Sequence, residues 1–292
     1  MPLIVMTGAT TGIGRAAATI LLARPGTRLI AGVRTPGTAP AGAPPLSAEE
    51  RPLDLASLAS VSTFAASLAG EAIDTLILNA GTQHPHVDAR SADGHELTFA
   101  TNHLAHAALL AALAPQLTRR VILTTSGTHD PAERTGLPPP RHIDARRLAD
   151  PSTDPGLDPR PLTAGLRAYT SSKLANLMTA RHFGRLHPAL TVLAYDPGLT
   201  PETGLVRHQH WAVRHLVWPL LPLISRLRPT RNTLPAAATG LATLVDTTPP
   251  PGRTYASLRR AVLTWPDPSV LARDDAAAAT LWEDSMALVG QA

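Results

Sequence analysis

Leu3-Ile-Val-Met-Thr-Gly-Ala-Thr-Thr-Gly-Ile-Gly14 decides the fold. The apolar run 3–6 reads as a buried strand. Glycines follow at 8, 12 and 14, spaced Gly-x-x-x-Gly-x-Gly. Residues 15–24 then read as a helix, stopped by Pro25-Gly26. Glycine lets a backbone turn tightly and approach a pyrophosphate, and the helix N-terminus behind it offers free N–H groups and a positive dipole end. A strand, a glycine turn and a helix in that order are the start of a nucleotide-binding sheet.

The rest of the chain repeats the alternation. Strands are expected at 29–33, 75–78, 121–125, 190–195 and 253–256. Helices are expected at 57–68, 96–117 (with Pro115 ending or kinking it), 166–186 and 235–245, and the Ala-rich tail reads as helical. Residues 35–50 read as a loop, and 130–162, rich in prolines and Asp-Pro pairs, as an irregular exposed insertion. Alternating strands and helices imply a single α/β domain over 1–292, a parallel sheet with helices on both faces. Right-handed crossovers place the loops after the strands along one edge, where such sheets bind ligands. Gly8, Asn79, Ser126 and Pro197 each fall just after an expected strand, so they gather at one rim.

Tyr169-Thr-Ser-Ser-Lys173 supplies a chemistry for that rim. Lys173 is the only lysine in the chain and Tyr169 one of three tyrosines. At i and i+4 on a helix they share a face. A compact cation beside a phenol favours phenolate and lowers its pKa, which suits proton transfer near neutral pH. An arginine fork is larger and differently shaped.

Composition narrows the function classes. The chain has no cysteine, which excludes disulfides, a thiolate nucleophile and zinc–thiolate sites and fits a cytoplasmic location. Its net charge is +4, and its arginines are scattered without the stripe that nucleic-acid binding needs. We read no signal peptide, no transmembrane segment and no metal site; His84-Pro-His86 and His208-Gln-His210 lack a carboxylate cluster beside them.

Thr7-Gly8-x-x-x-Gly12-Ile13-Gly14, Asp54-Leu55, Asn79-Ala80-Gly81, Asn102, Ser126, Tyr169-x-x-x-Lys173 and Pro197-Gly198 together resemble the short-chain dehydrogenase/reductase family, in its order. The resemblance implies a Rossmann fold with a seven-stranded parallel sheet and metal-free hydride transfer between nicotinamide and a carbonyl or alcohol. It makes Tyr169 the general acid or base. Lys173 lowers the phenol pKa and holds the nicotinamide ribose, and Ser126 bonds the substrate oxygen, with Thr124 and Thr125 as neighbouring alternatives. Asn102 links Lys173 to solvent through a water. The cofactor set is Gly8, Thr10, Thr11, Gly12, Ile13, Gly14, Arg34, Asp54, Leu55, Asn79, Ala80, Gly81, Tyr169, Lys173, Pro197, Gly198 and Thr200. Asp54 either meets the adenine amino group or caps the following helix.

Gly32-Val33-Arg34-Thr35 has no acid before Glu49, and an arginine there accommodates the 2′-phosphate of NADP(H); Arg15 adds a second charge. Residues 125–130 and 197–207 resemble the branch of retinol dehydrogenases and protochlorophyllide oxidoreductases. That implies a small-molecule substrate, apolar and bulky, under a lid at 199–231 whose 211–227 stretch reads alternatively as a membrane contact. His129 and His103 flank the site as candidate substrate contacts. The resemblance also implies a homodimer or homotetramer packed through 96–117 and 166–186. Two other readings use the same residues: an epimerase or dehydratase, and a non-catalytic NADP-binding regulator or scaffold.

Overall fold

A computed structural model describes residues 1–40, 48–200 and 231–290. Its strands are β1 (Leu3–Thr7), β2 (Arg28–Val33), β3 (Glu49–Pro52), β4 (Ile73–Leu78), β5 (Leu117–Thr124), β6 (Thr191–Asp196), β7 (Tyr255–Arg259) and β8 (Val262–Thr264). They form one sheet in the order β3-β2-β1-β4-β5-β6-β7-β8. Every pairing is parallel except β7 with β8. The helices are α1 (Gly12–Leu22), α2 (Leu58–Ser67), α3 (Leu97–Gln116), α4 (Ala145–Ala149), α5 (Pro161–Leu186), α6 (Leu234–Leu244) and α7 (Asp275–Leu288).

Both faces of the sheet are buried, as its apolar strands require. Alternation along β1 divides the core: Leu3 and Val5 join Leu76, Leu78, Val121 and Leu123 under α2, α3, α5 and α7, with Phe64 and Phe99 filling the layer. Ile4 and Met6 face the opposite side with Ile77, Ile122, Leu193 and Tyr195, under α1 and α6. By length and composition α3 is apolar enough to cross a membrane, yet most of it is buried in this core.

The sheet has eight strands, one more than the resemblance implies. The addition is a hairpin: Arg260 and Ala261, both at positive φ (49° and 62°), turn the chain back into β8. Strand β3 begins at the end of the expected loop, 35–50, and runs two residues past it. Its Glu49-Glu50-Arg51-Pro52 carries no apolar pattern because it is an edge strand, where charges and proline are tolerated. Arg28 and Arg51 bridge Glu49 and Glu71 along that edge.

The segment 130–162 is more ordered than its prolines suggest. Asp130, Asp144 and Asp150 each accept backbone N–H bonds from the turn that follows. In Asp130-Pro131 and Asp150-Pro151 the aspartate is an N-cap and the proline takes the first helical position. Ile143, Ala145 and Ala149 enter the core. Helix α7 packs on both α3 and α5, and Asp275 pairs with Arg181 and Arg185 of α5. The chain's own C-terminal helix therefore covers part of the two helices through which pairing was expected.

Glu96 opens α3, its carboxylate accepting the N–H groups of Thr98 (3.0 Å) and Phe99 (2.7 Å). It is fully buried, and that burial raises its pKa to about 7 despite the two amides and nearby Arg90. A carboxyl whose folded pKa lies above its unfolded value holds a proton that the unfolded chain has lost. Between pH 4.5 and about 7, stability should therefore fall as pH rises, by up to roughly 1.4 kcal/mol for every pH unit. Chemical denaturation of wild type and Glu96→Gln across that range should show the gap between them narrowing or reversing as pH rises. Parallel curves would show that Glu96 stays ionised.

Candidate active site

The glycine turn is fixed by backbone contact. Gly8 and Gly12 have φ of 70° and 54°, which side chains resist. A Cβ on Gly14 would lie 2.0 Å from the Gly8 carbonyl oxygen and 2.5 Å from Asn79 Nδ2; one on Gly8 would lie 2.7 Å from Ala80 Cα. The hydroxyl oxygen of Thr7 accepts the N–H groups of Asn79 and Ala80, both at 3.1 Å, and Asn79 Nδ2 donates to the Gly8 carbonyl at 3.3 Å. The ends of β1 and β4 are thus locked together at the point where strand order reverses. Behind them α1 begins with no side-chain cap and no acidic residue in its first turn, whereas side chains cap α2, α3, α4, α6 and α7. Its N–H groups are available to an anion.

The end of β5 meets the middle of α5 beside this turn. Lys173 Nζ donates to the Thr124 carbonyl at 3.2 Å, and a Cβ on Gly81 would lie 3.3 Å from that ammonium. Thr125 Oγ1 donates to the Lys173 carbonyl at 2.6 Å and Thr124 Oγ1 to Asn79 Oδ1 at 3.1 Å. Both threonine hydroxyls are used internally. The Ser126 hydroxyl oxygen accepts the Thr128 N–H at 3.3 Å, and its proximity favours the ionised form of the Tyr169 phenol. The other two phenols are tied elsewhere: Tyr195 donates to the Ala237 carbonyl and Tyr255 to Asp196. Only Tyr169 presents its phenol to the rim.

The electrostatics differ from the expectation that Lys173 lowers the phenol pKa. Tyr169 and Lys173 are 6% and 4% exposed. Burial pushes the Tyr169 phenol well above its ordinary range, Asp196 adds to the rise, and Ser126 opposes it. Burial also lowers Lys173 to about 8. The ammonium sits 5.7 Å from the centre of the Tyr169 ring, and in this geometry desolvation outweighs it. At neutral pH both groups keep their protons.

Asn102 lies in a widened π turn, Ala100–Leu104, within α3. Its side chain accepts from Thr82 N at 2.8 Å and donates to the Thr82 carbonyl and Ser172 Oγ, both at 2.9 Å. Ser172 in turn donates to the Tyr169 carbonyl at 2.7 Å.

The remaining expected residues divide. Arg34 and Arg15 are exposed, and among the described residues neither forms an ion pair. Glu50 bonds the N–H groups of Gly37 and Ala39 at 2.6 and 2.7 Å and so shapes the turn after Arg34, while Glu49 pairs with Arg28 and Arg51. Asp54 accepts from Ala56 N, but Ser57 caps α2, so Asp54 is not the helix cap. Leu55 and Ile13 pack partly buried against the two cores, and Thr10 and Thr11 border the turn. Gly198, at φ 70°, donates its N–H to Asp196, and Thr200 donates to the Gly198 carbonyl at 3.4 Å. Most of the expected lid, 201–230, lies outside the described residues. His129 and His103 are buried packing residues, not open to a substrate. His129 bonds the Ser126 carbonyl at 2.7 Å, and Ser269 N donates to its other nitrogen at 3.4 Å. His103 bonds Ser285 of α7 at 2.9 Å and stacks on Phe99.

Three residues escaped the sequence reading. His106 bonds Thr7 Oγ1 at 3.1 Å and the Asn102 carbonyl at 3.0 Å; its signal was a polar residue one turn after Asn102 on a largely apolar helix. Asn232 donates to the carbonyls of Pro197 and Leu258 and accepts from Ala261 N. It thereby clasps the loop after β6 to the hairpin turn, where Leu199 also bridges Arg231. Gly165, one turn before Tyr169, lies under the 84–86 backbone: a Cβ there would be 2.4 Å from the His84 carbonyl oxygen.

A family profile described as short chain dehydrogenase matches residues 2–129. Dehydrogenase/reductase SDR family member 13 of Bos taurus is 34% identical over 303 aligned positions, covering 98% of this chain and 72% of that protein. The chain belongs to the short-chain dehydrogenase/reductase family. Chloroplastic protochlorophyllide reductase of Chlamydomonas reinhardtii is 32% identical over 225 positions, spanning 70% of this chain but only 56% of that protein. Among solved structures, an uncharacterized protein from Mycobacterium paratuberculosis superposes with a TM-score of 0.70 at 28% identity, covering 99% of this chain and 94% of its own. A short-chain dehydrogenase/reductase from Burkholderia multivorans with bound NADP shares the fold at a TM-score of 0.56 and 22% identity, covering 84% and 90%.

Gly165 offers a direct check on this geometry. Alanine is the better helix former by about 1 kcal/mol, so substitution in a free helix would stabilise. Against the 84–86 backbone, Gly165→Ala should instead destabilise by roughly 1–3 kcal/mol and lower the thermal midpoint. A midpoint equal to or above wild type would show that the loop does not cross α5 there.

Proposed function

We propose that this protein is an NADP(H)-dependent oxidoreductase that reduces a carbonyl of an apolar small molecule, with Tyr169 as proton donor. One observation carries the reading. The chain's single lysine is buried with one hydrogen bond among the described residues, to the Thr124 carbonyl, one helical turn from the one phenol left at the rim. An ammonium has three donors, and burying it so incompletely paired is costly unless a ligand's hydroxyls complete it. The ribose of a nicotinamide coenzyme fits that need.

The uncapped start of α1 fits a pyrophosphate held by Gly8–Gly14. Arg34 and Arg15, both exposed and without an ion pair among the described residues, fit a 2′-phosphate and favour NADP(H) over NAD(H). Bound there, the coenzyme supplies the hydride. Ser126 and Tyr169 hold the substrate oxygen and polarise the carbonyl. As the carbonyl carbon gains hydride, the Tyr169 O–H bond breaks and its proton passes to the substrate oxygen, leaving alcohol and phenolate. Lys173 and Ser126 stabilise that phenolate. The phenol keeps its proton at neutral pH, which is the form from which reduction starts, and the Lys173 charge offsets the cost of releasing that proton. Asn102 holds the 82 backbone and, through Ser172, the Tyr169 turn of α5. The similarity to dehydrogenase/reductase and protochlorophyllide reductase proteins supports a bulky apolar substrate.

Fluorescence titration with NADPH and NADH tests the cofactor. A charge-assisted contact contributes on the order of 1.5–3 kcal/mol, so NADPH should bind at least about tenfold tighter, and Arg34→Ala should lose that margin. With apolar aldehydes and ketones, Tyr169→Phe should keep NADPH affinity and lose about 10²-fold or more in turnover. Equal affinities would contradict the role of Arg34, and an active Phe variant that of Tyr169.

A further inference from the structure

His106 is fully buried in α3 and touches no open part of the site, yet it joins the two clamps that hold the exit of β4. Its Nδ1 faces the Asn102 carbonyl at 3.0 Å and its Nε2 faces Thr7 Oγ1 at 3.1 Å. A carbonyl only accepts, so Nδ1 carries the hydrogen and Nε2 is left as an acceptor. The Thr7 hydroxyl must then donate to Nε2. That fixes its lone pairs toward Asn79 N and Ala80 N, each at 3.1 Å. Asn102, at the other end of the imidazole, holds Thr82 through both its N–H and its carbonyl. Four backbone polar groups between 79 and 82 are thus held by two side chains whose positions meet at one ring. Burial drives the imidazole pKa down to about 3, with Lys173 adding to the fall, so the ring stays neutral.

We propose that His106 is a positioning residue: its imidazole, in the Nδ1–H form, orients the Thr7 hydroxyl and the Asn102 carbonyl and so fixes residues 79–82 against the glycine turn. The consequence for cofactor binding rests on the function proposed above; the consequence for the backbone does not. Without the ring, the Thr7 hydroxyl proton loses its acceptor in a buried place and the Asn102 carbonyl loses the imidazole N–H. The 79–82 backbone can then drift from Gly8 and Gly14, which have no slack toward it.

Three measurements test this. In cofactor-free protein, His106→Leu should speed amide hydrogen exchange at Asn79, Ala80 and Thr82 by about tenfold or more, the scale of one lost hydrogen bond, while Ile77 and Leu78 stay slow. His106→Gln, which offers a donor and an acceptor from one amide, should restore most of the protection. In wild type, imidazole nitrogen NMR should show a neutral Nδ1–H ring from about pH 5 to 8, as the low imidazole pKa requires, a reading that needs no variant to fold. The Leu variant should also bind NADPH at least about tenfold more weakly. Unchanged exchange in His106→Leu, acceleration spread over the whole sheet, a Gln variant no better than Leu, or an Nε2–H or charged ring would each overturn the proposal. If wild type binds no nicotinamide cofactor, the function reading fails while the exchange and tautomer results still decide the role of His106.

Discussion

The approach of three backbone segments at Gly8, Gly14 and Asn79-Ala80 is the constraint on which the rest of the site depends. With 2.0 Å between a notional Gly14 Cβ and the Gly8 carbonyl oxygen, no other residue type fits without moving β1 or α1. Close packing there sets the register in which Thr7 stands beside Leu78. That register presents the Thr7 hydroxyl to the next two amides of the β4 exit. From it follow the place of Gly81 beside the Lys173 ammonium and the reach of Asn102 to Thr82. A sheet of apolar strands buried on both faces supplies the stiffness: its side chains cannot shift by about half an ångström without opening voids.

Stability and function pull against each other at this rim. Burying Lys173 lowers its pKa to about 8, and burying Tyr169 raises the phenol, so the fold bears an unfavourable pair at its centre. Neighbouring polar groups are consumed structurally: Thr124, Thr125, Tyr195, Tyr255 and both flanking histidines have fixed internal partners. Among the described residues of the rim, spare bonding capacity is left at Lys173, the Tyr169–Ser126 pair and the N-terminus of α1, and these lie at the ends of adjacent strands.

Much of this was legible in the sequence because it is written in local periods and in residues with one conformational use. The strand–glycine–helix start, the Tyr169–Lys173 spacing and the positions of Asn79, Ser126 and Pro197 after strands all followed from such signals. What escaped has nonlocal causes. Strand β3 has no apolar pattern because its partner side is an edge of charges. The Asp-Pro pairs at 130–131 and 150–151 looked like loop markers but start short capped turns, and the helix after Asp144 shows itself only through the buried Ile143, Ala145 and Ala149. His106 reads as a stray polar residue until Thr7, 99 positions away, is folded onto it. Burial likewise reverses the sign expected for the phenol, since a sequence shows that Lys173 is near but not how little water is.

The central claim is that NADP(H) lies across the rim from the glycine turn to Tyr169. A crystal structure of the wild-type protein grown with NADPH tests it most directly. The pyrophosphate should lie against residues 8–14 and the 2′-phosphate on Arg34, with the nicotinamide ribose bonded to Lys173 and the ring beside Tyr169 and Ser126. Density for the dinucleotide elsewhere, or a ribose that leaves Lys173 uncontacted, would contradict it.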